Sequence, residues 1–125
     1  MENKKVTIED ILKAKKLIDE RKNAPFYSET FSGEIEIEDV PAEKVLSIIN
    51  SANPDEPLRG DYELIYECCP IFRARELQEN YGIKEPVEII EKCFGGNIQE
   101  IDSLAKHIMK RYGFFTGEIE AVKKQ

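Results

Sequence analysis

The sequence predicts an α+β fold that is mostly α, with about five to six short helices packed around a small N-terminal β-hairpin over residues 26–40. Apolar residues recur at helical spacing in several segments, and prolines or glycines bound those segments. Only residues 26–40 change to the alternation that is typical of short strands. The length of 125 residues suits one domain with one core, so we expect a single domain over residues 1–125.

The composition is acidic, with 25 Asp and Glu against 18 Lys and Arg and a formal net charge of -7. This balance argues against nucleic acid as a partner, because such binding needs basic patches that displace counterions. No segment reaches the ~20 apolar residues of a membrane-spanning helix, and residues 1–5 are too polar for a secretory signal. We therefore expect no membrane partner and a cytoplasmic location.

The first element is a predicted helix that begins after Thr7. Thr7 and Asp10 have the spacing of a capping box, and Val6 and Ile11 have that of a hydrophobic staple. Four apolar residues then recur at helical spacing, namely Ile8, Ile11, Leu12 and Ile18. The pattern ends near residues 23–24, and Pro25 prevents its continuation.

Residues 26–40 predict two short strands. Ser32 and Gly33 are placed at the turn, because glycine tolerates positive φ. One face is expected to carry the apolar set Tyr27, Phe31, Ile35 and Ile37, and the other the acidic set Glu29, Glu34, Glu36 and Glu38. A lone hairpin is marginal in water, so its apolar face must rest on helices.

The middle of the chain predicts a second helix, a loop and an ambiguous segment. Pro41 suits the first turn of a helix whose apolar face is Val45, Leu46, Ile48 and Ile49. Residues 51–60 contain two prolines and one glycine, which indicates a flexible loop within the domain. Residues 61–69 fit a helix face (Tyr62, Ile65, Tyr66 and Cys69) as well as a strand face (Tyr62, Leu64, Tyr66 and Cys68). We favour the helix, because the neighbouring segments are helical.

Three more helices are predicted in the second half of the chain. The first covers residues 73–81, with Leu77 and Tyr81 inward and Gly82 just beyond its end. The second begins at Pro86 and carries the apolar residues Val87, Ile90 and Phe94. Gly95 and Gly96 end it. The last helix begins at the capping pair Asn97 and Glu100 and ends at Gly113. Its apolar stripe consists of Ile101, Leu104, Ala105, Ile108 and Tyr112. The charged tail, residues 116–125, is expected to fray.

The sequence offers little that indicates catalysis or metal binding. His107 falls off the apolar stripe of the last helix, so we interpret it as a surface histidine. Cys68, Cys69 and Cys93 are odd in number and two are adjacent, which favours small thiols in a reducing compartment over disulfides. A zinc site needs about four ligands at paired spacings, and the sequence has no such pairing. We therefore predict no catalytic residue, no metal and no cofactor.

Four aromatic residues are the candidates for partner binding. Phe114 and Phe115 are adjacent aromatics that follow the last helix, and they either fold back as a core plug or form an exposed apolar anchor. Tyr62 and Tyr66 are one helical turn apart, and they either line a groove or pack in the core.

An ordered set of motifs covers most of the chain. Residues 61–68 (Asp-Tyr-Glu-Leu-Ile-Tyr-Glu-Cys) are followed in turn by Glu76, Leu77 and Gln78, Tyr81 and Gly82, Glu85 and Pro86, Ile89 and Ile90, Phe94 and Gly95, and Tyr112, Gly113 and Phe114. Residues 7–15 (Thr-Ile-Glu-Asp-Ile-Leu-Lys-Ala-Lys) belong to the same order. Over residues 7–115 this order resembles the XkdN-like tail assembly chaperones of phages and phage-derived elements of Gram-positive bacteria.

The resemblance implies a non-enzymatic protein that binds the tape-measure protein before the tail tube polymerises around it. The implied partners are the tape-measure protein and, as a second candidate, the tail tube protein, and whether the chain forms a homo-oligomer stays open. The implied location is the cytoplasm of the bacterial host, with the protein absent from the mature particle. The alternative is a structural tail or adaptor protein that is retained in the assembled tail or tail-like particle.

Overall fold

Six α-helices and one β-hairpin make up the part of the chain that the computed structural model describes, which is residues 4–22, 24–51 and 53–114. The helices are α1 Ile8–Lys22, α2 Ala42–Asn50, α3 Arg59–Cys68, α4 Arg75–Tyr81, α5 Glu88–Cys93 and α6 Ile98–Arg111. The antiparallel strands are β1 Phe26–Ser28 and β2 Gly33–Ile35, and a 3₁₀ turn covers Pro70–Arg73. The predicted α+β fold, mostly helical with a small N-terminal hairpin, is confirmed. The predicted frayed tail lies outside the described residues.

The centre of the core is the contact between α3 and α6. The inward side chains of α6 follow the predicted stripe, and Ile101, Leu104, Ala105 and Ile108 are all fully buried. Across from them α3 buries Leu64, Ile65 and Cys68, and α2 and α5 cover the rest of α3. Each large apolar side chain of this set contributes about 1.5–3 kcal/mol by leaving water.

The ambiguous residues 61–69 form a helix, as favoured above. Because α3 lies between α6 and the helices α2 and α5, it is buried on more than one side. Leu64, Ile65 and Cys68 are fully buried on one side of the helix, and Tyr62 and Tyr66 are partly buried on another side. This broad burial explains why helical and strand patterns fitted the segment equally well.

The hairpin is shorter than predicted, and its turn lies in a different place. Its three pairs are Phe26 with Ile35, Tyr27 with Glu34, and Ser28 with Gly33. The turn therefore consists of residues 29–32, and Gly33 belongs to a strand. Ser32 adopts a left-handed φ of 53° within this turn.

This register corrects the expected place of Tyr27. Successive side chains of a strand point to opposite faces, so Tyr27 faces away from the core beside Glu34 and is 61% exposed. The inward position next to it belongs to Ser28, which is fully buried. A pattern of apolar residues alone cannot predict a buried serine, because its burial depends on hydrogen-bond partners far along the chain.

A carboxylate of α6 provides those partners. Ser28 Oγ donates to Glu100 Oε1 at 2.8 Å, Thr30 N donates to the same oxygen at 3.3 Å, and Thr30 Oγ1 donates to Oε2. Partial burial raises the pKa of Glu100, but these hydrogen bonds outweigh it and hold the pKa below the ordinary value. The predicted cap is confirmed, since Asn97 Oδ1 accepts from Glu100 N at 3.2 Å. Glu100 thus joins the hairpin to the start of α6.

Two further contacts fix the N-terminal half to the helices. The Tyr112 hydroxyl donates to Val40 O at 2.7 Å and accepts from Val40 N at 2.9 Å. The ring centroid of Phe31, in the hairpin turn, lies 5.1 Å from the ring centroid of Phe94 and 6.5 Å from that of Phe72. The hairpin therefore rests on helices, as its small size requires.

Two details of the middle segments differ from prediction. α3 begins at Arg59, inside the segment predicted as a loop over residues 51–60. Tyr81, predicted to point inward, is 44% exposed, whereas Leu77 is partly buried against the core. α4 ends as predicted, because Gly82 adopts φ 58° at its C-terminus.

Candidate partner-binding groove

Two adjoining hollows lie beside α3. The first has a volume of about 310 Å³ and is lined by Glu56, Pro57, Leu58, Arg59, Tyr62, Glu85, Val87, Glu88 and Glu91. The second has a volume of about 400 Å³ and is lined by Lys44, Ile48, Arg59, Glu63, Tyr66, Glu67, Glu85, Pro86 and Val87. Arg59, Glu85 and Val87 line both hollows, so the two form one surface, which we call the α3 groove.

Tyr62 and Tyr66 supply the aromatic part of this groove. Both side chains are partly buried and pack against the core on one side while they line the groove on the other. Partial burial, with the nearby charges of Glu91 and Asp61, raises the pKa of Tyr62. The Tyr66 hydroxyl accepts a hydrogen bond from Gln78 Nε2 at 3.3 Å, which orients its ring. Core packing and groove lining, the two alternatives left open by the sequence, both hold for these residues.

Arg59 lies at the junction of the two hollows. Its Nε donates to Glu63 at 3.1 Å and its Nη1 donates to Glu85 at 2.9 Å. The hydrogen bond to Glu85, with that to Glu63, raises the pKa of Arg59. The guanidinium thus ties the segment before α5 to α3 and keeps the two walls of the groove together.

The structure describes only Phe114 of the phenylalanine pair, and Phe114 does not line the groove. Phe114 is partly buried and packs against the core, and its N–H donates to Met109 O at 3.1 Å. Phe115 lies outside the described residues. Of the four sequence candidates, the structure therefore brings Tyr62 and Tyr66 together on one surface and leaves Phe114 apart from them.

Helix α1 presents a second apolar surface that the sequence analysis missed. Its capping box is confirmed, because Asp10 N donates to Thr7 Oγ1 at 3.2 Å and Thr7 N donates to Asp10 Oδ2 at 3.0 Å. The apolar side chains of this region are nevertheless exposed, namely Val6, Ile8, Ile11, Leu12, Leu17 and Ile18. Helical periodicity signals that a helix is amphipathic, but it does not say what covers the apolar side.

The cysteines are free thiols in apolar surroundings. Burial raises the pKa of Cys68 to about 11 and that of Cys69 to about 12, and it also raises the pKa of Cys93. Such thiols stay protonated at neutral pH and are poor nucleophiles. Within the described ranges, no three or more His, Cys, Asp or Glu side chains lie close enough together to hold a metal ion.

His107 is partly buried, which corrects its interpretation as a surface residue. Its Nε2 lies 3.2 Å from Ala24 O, and its ring contacts Phe26 edge-on at 5.6 Å. The histidine therefore anchors the chain at the point where it leaves α1. This role is structural, and the neighbours that it contacts are a carbonyl and an aromatic ring.

Asp61 and Asp102 form a carboxyl pair between α3 and α6. Burial raises the pKa of Asp61 to about 6, and the charge of Asp102 with its hydrogen bond adds to the rise. Lys106 opposes this effect and pairs with Asp102 at 2.9 Å. Neither carboxyl lines the α3 groove, so the pair acts on stability rather than on that surface.

The pair predicts a pH-dependent gain in stability for Asp61→Asn. The folded state holds the Asp61 proton more tightly than the unfolded chain, whose value is 3.8, so the group favours folding below pH 3.8 and loses this effect as pH rises through 6. At pH 7 the variant should therefore be more stable than wild type by about 1–2 kcal/mol, after discounting for partial exposure. At pH 4 the two should be nearly equal.

Urea unfolding at several pH values measures this difference. Asp55→Asn, in the exposed loop before α3, is the control for the loss of one charge. If the difference in the free energy of unfolding between Asp61→Asn and wild type stayed constant from pH 4 to pH 7, the carboxyl pair would not be the cause of the gain in stability.

Comparison of the chain with protein-family models, with curated proteins and with solved structures finds no match. None of the described helices is both long enough and apolar enough to cross a membrane.

Proposed function

We propose that the chain is a phage tail assembly chaperone that binds the tape-measure protein and keeps it soluble, without catalysis, in the cytoplasm of the bacterial host. The order of sequence motifs supports the family. The α3 groove is the observation that supports the mode of binding, because it combines apolar and aromatic lining with a charged border on one face. The protein would leave as the tail tube forms, so it would be absent from the mature particle.

The groove has the chemistry that apolar helices require. A tape-measure protein is a long helical chain whose apolar faces aggregate if they stay exposed, and a groove covers such a face through a few side-chain anchors. Leu58, Tyr62 and Val87 offer apolar contact in one hollow, and Ile48 and Tyr66 offer it in the other. Many copies bound along one client would give firm coverage from contacts that are individually weak. The net charge of -7 would keep the loaded complex soluble.

The state of the reactive groups supports a non-enzymatic role. The thiols of Cys68 and Cys69 are buried and have raised pKa values, and His107 contacts a backbone carbonyl. A catalytic site needs such groups to face a cleft that admits substrate, and none of these three residues lines the α3 groove.

Co-expression with the tape-measure protein of the same genetic element tests the proposal. The wild-type chain should keep the tape measure in the soluble fraction and should co-purify with it. Val87→Asp should reduce the recovery of soluble tape measure at least tenfold, because the substitution puts a charge into the lining shared by both hollows. Val87 directly precedes α5, and the N-terminal end of a helix favours a negative charge, so the fold should tolerate this change.

The matched control is Ile71→Asp, which changes an apolar residue that is 56% exposed and lies outside the groove. It should leave recovery of the tape measure unchanged. Equal loss with both variants would contradict the groove as the binding site. A tape measure that stays insoluble with the wild-type chain would contradict the proposed function itself.

Mass spectrometry of purified particles separates this proposal from the alternative, a retained structural tail or adaptor protein. A chaperone should be absent from the particles, whereas a structural protein should be present at fixed copy number.

A further inference from the structure

Helix α1 carries much of the apolar surface that the described chain leaves exposed. Six of the twelve large apolar side chains that remain exposed lie in residues 6–18. Their exposed fractions run from 41% for Ile18 to 77% for Ile8, and none of the six belongs to the core cluster. A helix of 15 residues is marginal in water without tertiary support. Contact with a second surface would therefore stabilise α1.

The charge of this segment differs in sign from that of the rest of the chain. Residues 4–22 hold seven basic residues (Lys4, Lys5, Lys13, Lys15, Lys16, Arg21 and Lys22) and four acidic residues (Glu9, Asp10, Asp19 and Glu20), a net charge of 7 − 4 = +3. The whole chain carries -7, so the remainder carries −7 − 3 = −10. The helix itself carries a net charge of +1, and Lys4 and Lys5 just before it supply the rest. A weakly basic segment is thus joined to a strongly acidic remainder of the chain.

The α3 groove has the complementary character. Its border holds six glutamates (Glu56, Glu63, Glu67, Glu85, Glu88 and Glu91) and two basic residues (Lys44 and Arg59), a net charge of 2 − 6 = −4. Its apolar lining comes from Leu58, Tyr62, Val87, Ile48 and Tyr66. No residue of α1 lines the groove within the same chain. Both surfaces are therefore available to a second molecule.

The start of the domain is fixed just after α1. His107 Nε2 lies 3.2 Å from Ala24 O, and the ring of Phe26 packs on His107. The helix is thus attached to the domain through a firmly held segment while its apolar side chains stay exposed.

We propose that α1 of one copy binds in the α3 groove of a second copy, and that two copies exchange their α1 helices in this way. The exchange buries the apolar side chains that share one side of α1 against the apolar lining, namely Ile8, Ile11, Leu12 and Ile18. It also places lysines of this segment beside the glutamates. A reciprocal exchange closes the assembly at two copies, because each α1 and each groove is then occupied. The occupant is the chain itself, because α1 is a described helix whose net charge and apolar side chains match the groove. A client that needs the same groove would compete with α1.

Light scattering coupled to gel filtration tests the exchange. At about 100 μM, well above a micromolar dissociation constant, the wild-type chain should have twice its mass of 14.4 kDa. Raising the salt from about 0.05 M to 0.5 M should weaken association at least tenfold, because the charges lie at the surface. A monomer at low salt would overturn the proposal without any variant.

Charge reversal on each surface locates the contact. Lys15→Glu with Lys16→Glu changes the net charge of residues 4–22 from +3 to −1. Separately, Glu56→Lys with Glu88→Lys and Glu91→Lys changes the net charge of the groove border from −4 to +2. Each variant alone should give monomers. Mixing the two variants in equal amounts should restore a species of two copies, because the reversed helix then meets a reversed groove and the native helix meets a native one. Continued association of either variant alone, or no association in the mixture, would overturn the proposal.

Matched controls carry the same charge change elsewhere. Lys13 lies on the opposite side of α1 from Ile8, Ile11, Leu12 and Ile18. Lys13→Glu with Arg21→Glu should therefore still give the two-copy species. Glu29→Lys with Glu34→Lys and Glu36→Lys, on the hairpin and outside the groove, should do the same. Circular dichroism verifies that each variant keeps its helix content. Monomers from the control variants would mean that net charge, and not the α1–groove contact, decides association. The outcome is independent of the tape measure, since no client is present.

Discussion

Glu100→Ala should lower the free energy of unfolding by about 3 kcal/mol, because a buried hydroxyl and two turn donors lose a charged acceptor together. Ser28 is fully buried and its Oγ donates to Glu100 at 2.8 Å. Thr30 donates to the same carboxylate from its N–H and its hydroxyl. A small hairpin has little stability of its own, so the loss should also loosen the hairpin from α6. Urea unfolding followed by circular dichroism measures the change.

A double-mutant cycle with Ser28→Ala verifies the mechanism. Once the carboxylate is gone, removing the hydroxyl should cost little and can recover stability, since the unsatisfied polar group disappears. Glu76→Ala, in the exposed first turn of α4, is the control for loss of a surface glutamate and should change stability by less than about 0.5 kcal/mol. Additive effects of Glu100→Ala and Ser28→Ala would contradict the direct bond.

Arg111→Met should raise the free energy of unfolding by about 1–4 kcal/mol. Arg111 is only 4% exposed, and its Nε, Nη1 and Nη2 find no hydrogen-bond acceptor among the described residues. A buried charge without a partner opposes folding, and an apolar side chain of similar length removes that cost. Thermal and urea unfolding at pH 7 measure the gain.

Arg73→Met is the matched control, because Arg73 has hydrogen-bond acceptors, whereas Arg111 has none within residues 4–22, 24–51 and 53–114. Its Nη1 donates to Tyr66 O at 2.8 Å and to Glu67 O at 2.7 Å, and its Nη2 donates to Glu38 at 2.8 Å. Arg73→Met should therefore lower stability while Arg111→Met raises it. A loss of more than about 2 kcal/mol with Arg111→Met would show that its guanidinium does have an acceptor in the folded state.

The sequence predicted the helices well because their signals are local. The stripe of α6, the cap at Asn97 and the left-handed Gly82 all depend on residues within a few positions of one another. The choice of a helix for α3 also placed Tyr62 and Tyr66 one turn apart on the same side. That spacing is the part of the groove that the sequence could predict.

The features that the sequence could not predict depend on distant partners. Ser28 is buried because Glu100, 72 positions along the chain, accepts its hydrogen bond. The hairpin register follows from that contact and from the position of the turn, and a different turn sends Tyr27 to the opposite face. A cation near the C-terminus of α6 suits the helix dipole, but this local preference does not say whether the side chain is exposed, and the structure buries Arg111.

The α3 groove and α1 show the same limit for function. The second wall of the groove comes from residues 85–91, which no local pattern joins to Tyr62. The apolar spacing of α1 is that of a helix packed on a core, although its side chains are exposed. Periodicity predicts which side of a helix is apolar, whereas tertiary structure decides whether that side is left for a partner.

Site-specific photo-crosslinking in cells that also produce the tape-measure protein tests the central claim most directly. A benzophenone amino acid replaces Tyr62 in the groove and, in a separate variant, Tyr27, which is 61% exposed on the hairpin and outside the groove. If the tape measure binds in the α3 groove, crosslinks to it should form from position 62 and not from position 27. Crosslinks from position 27 alone, or none from either position while the proteins co-purify, would contradict binding in the α3 groove.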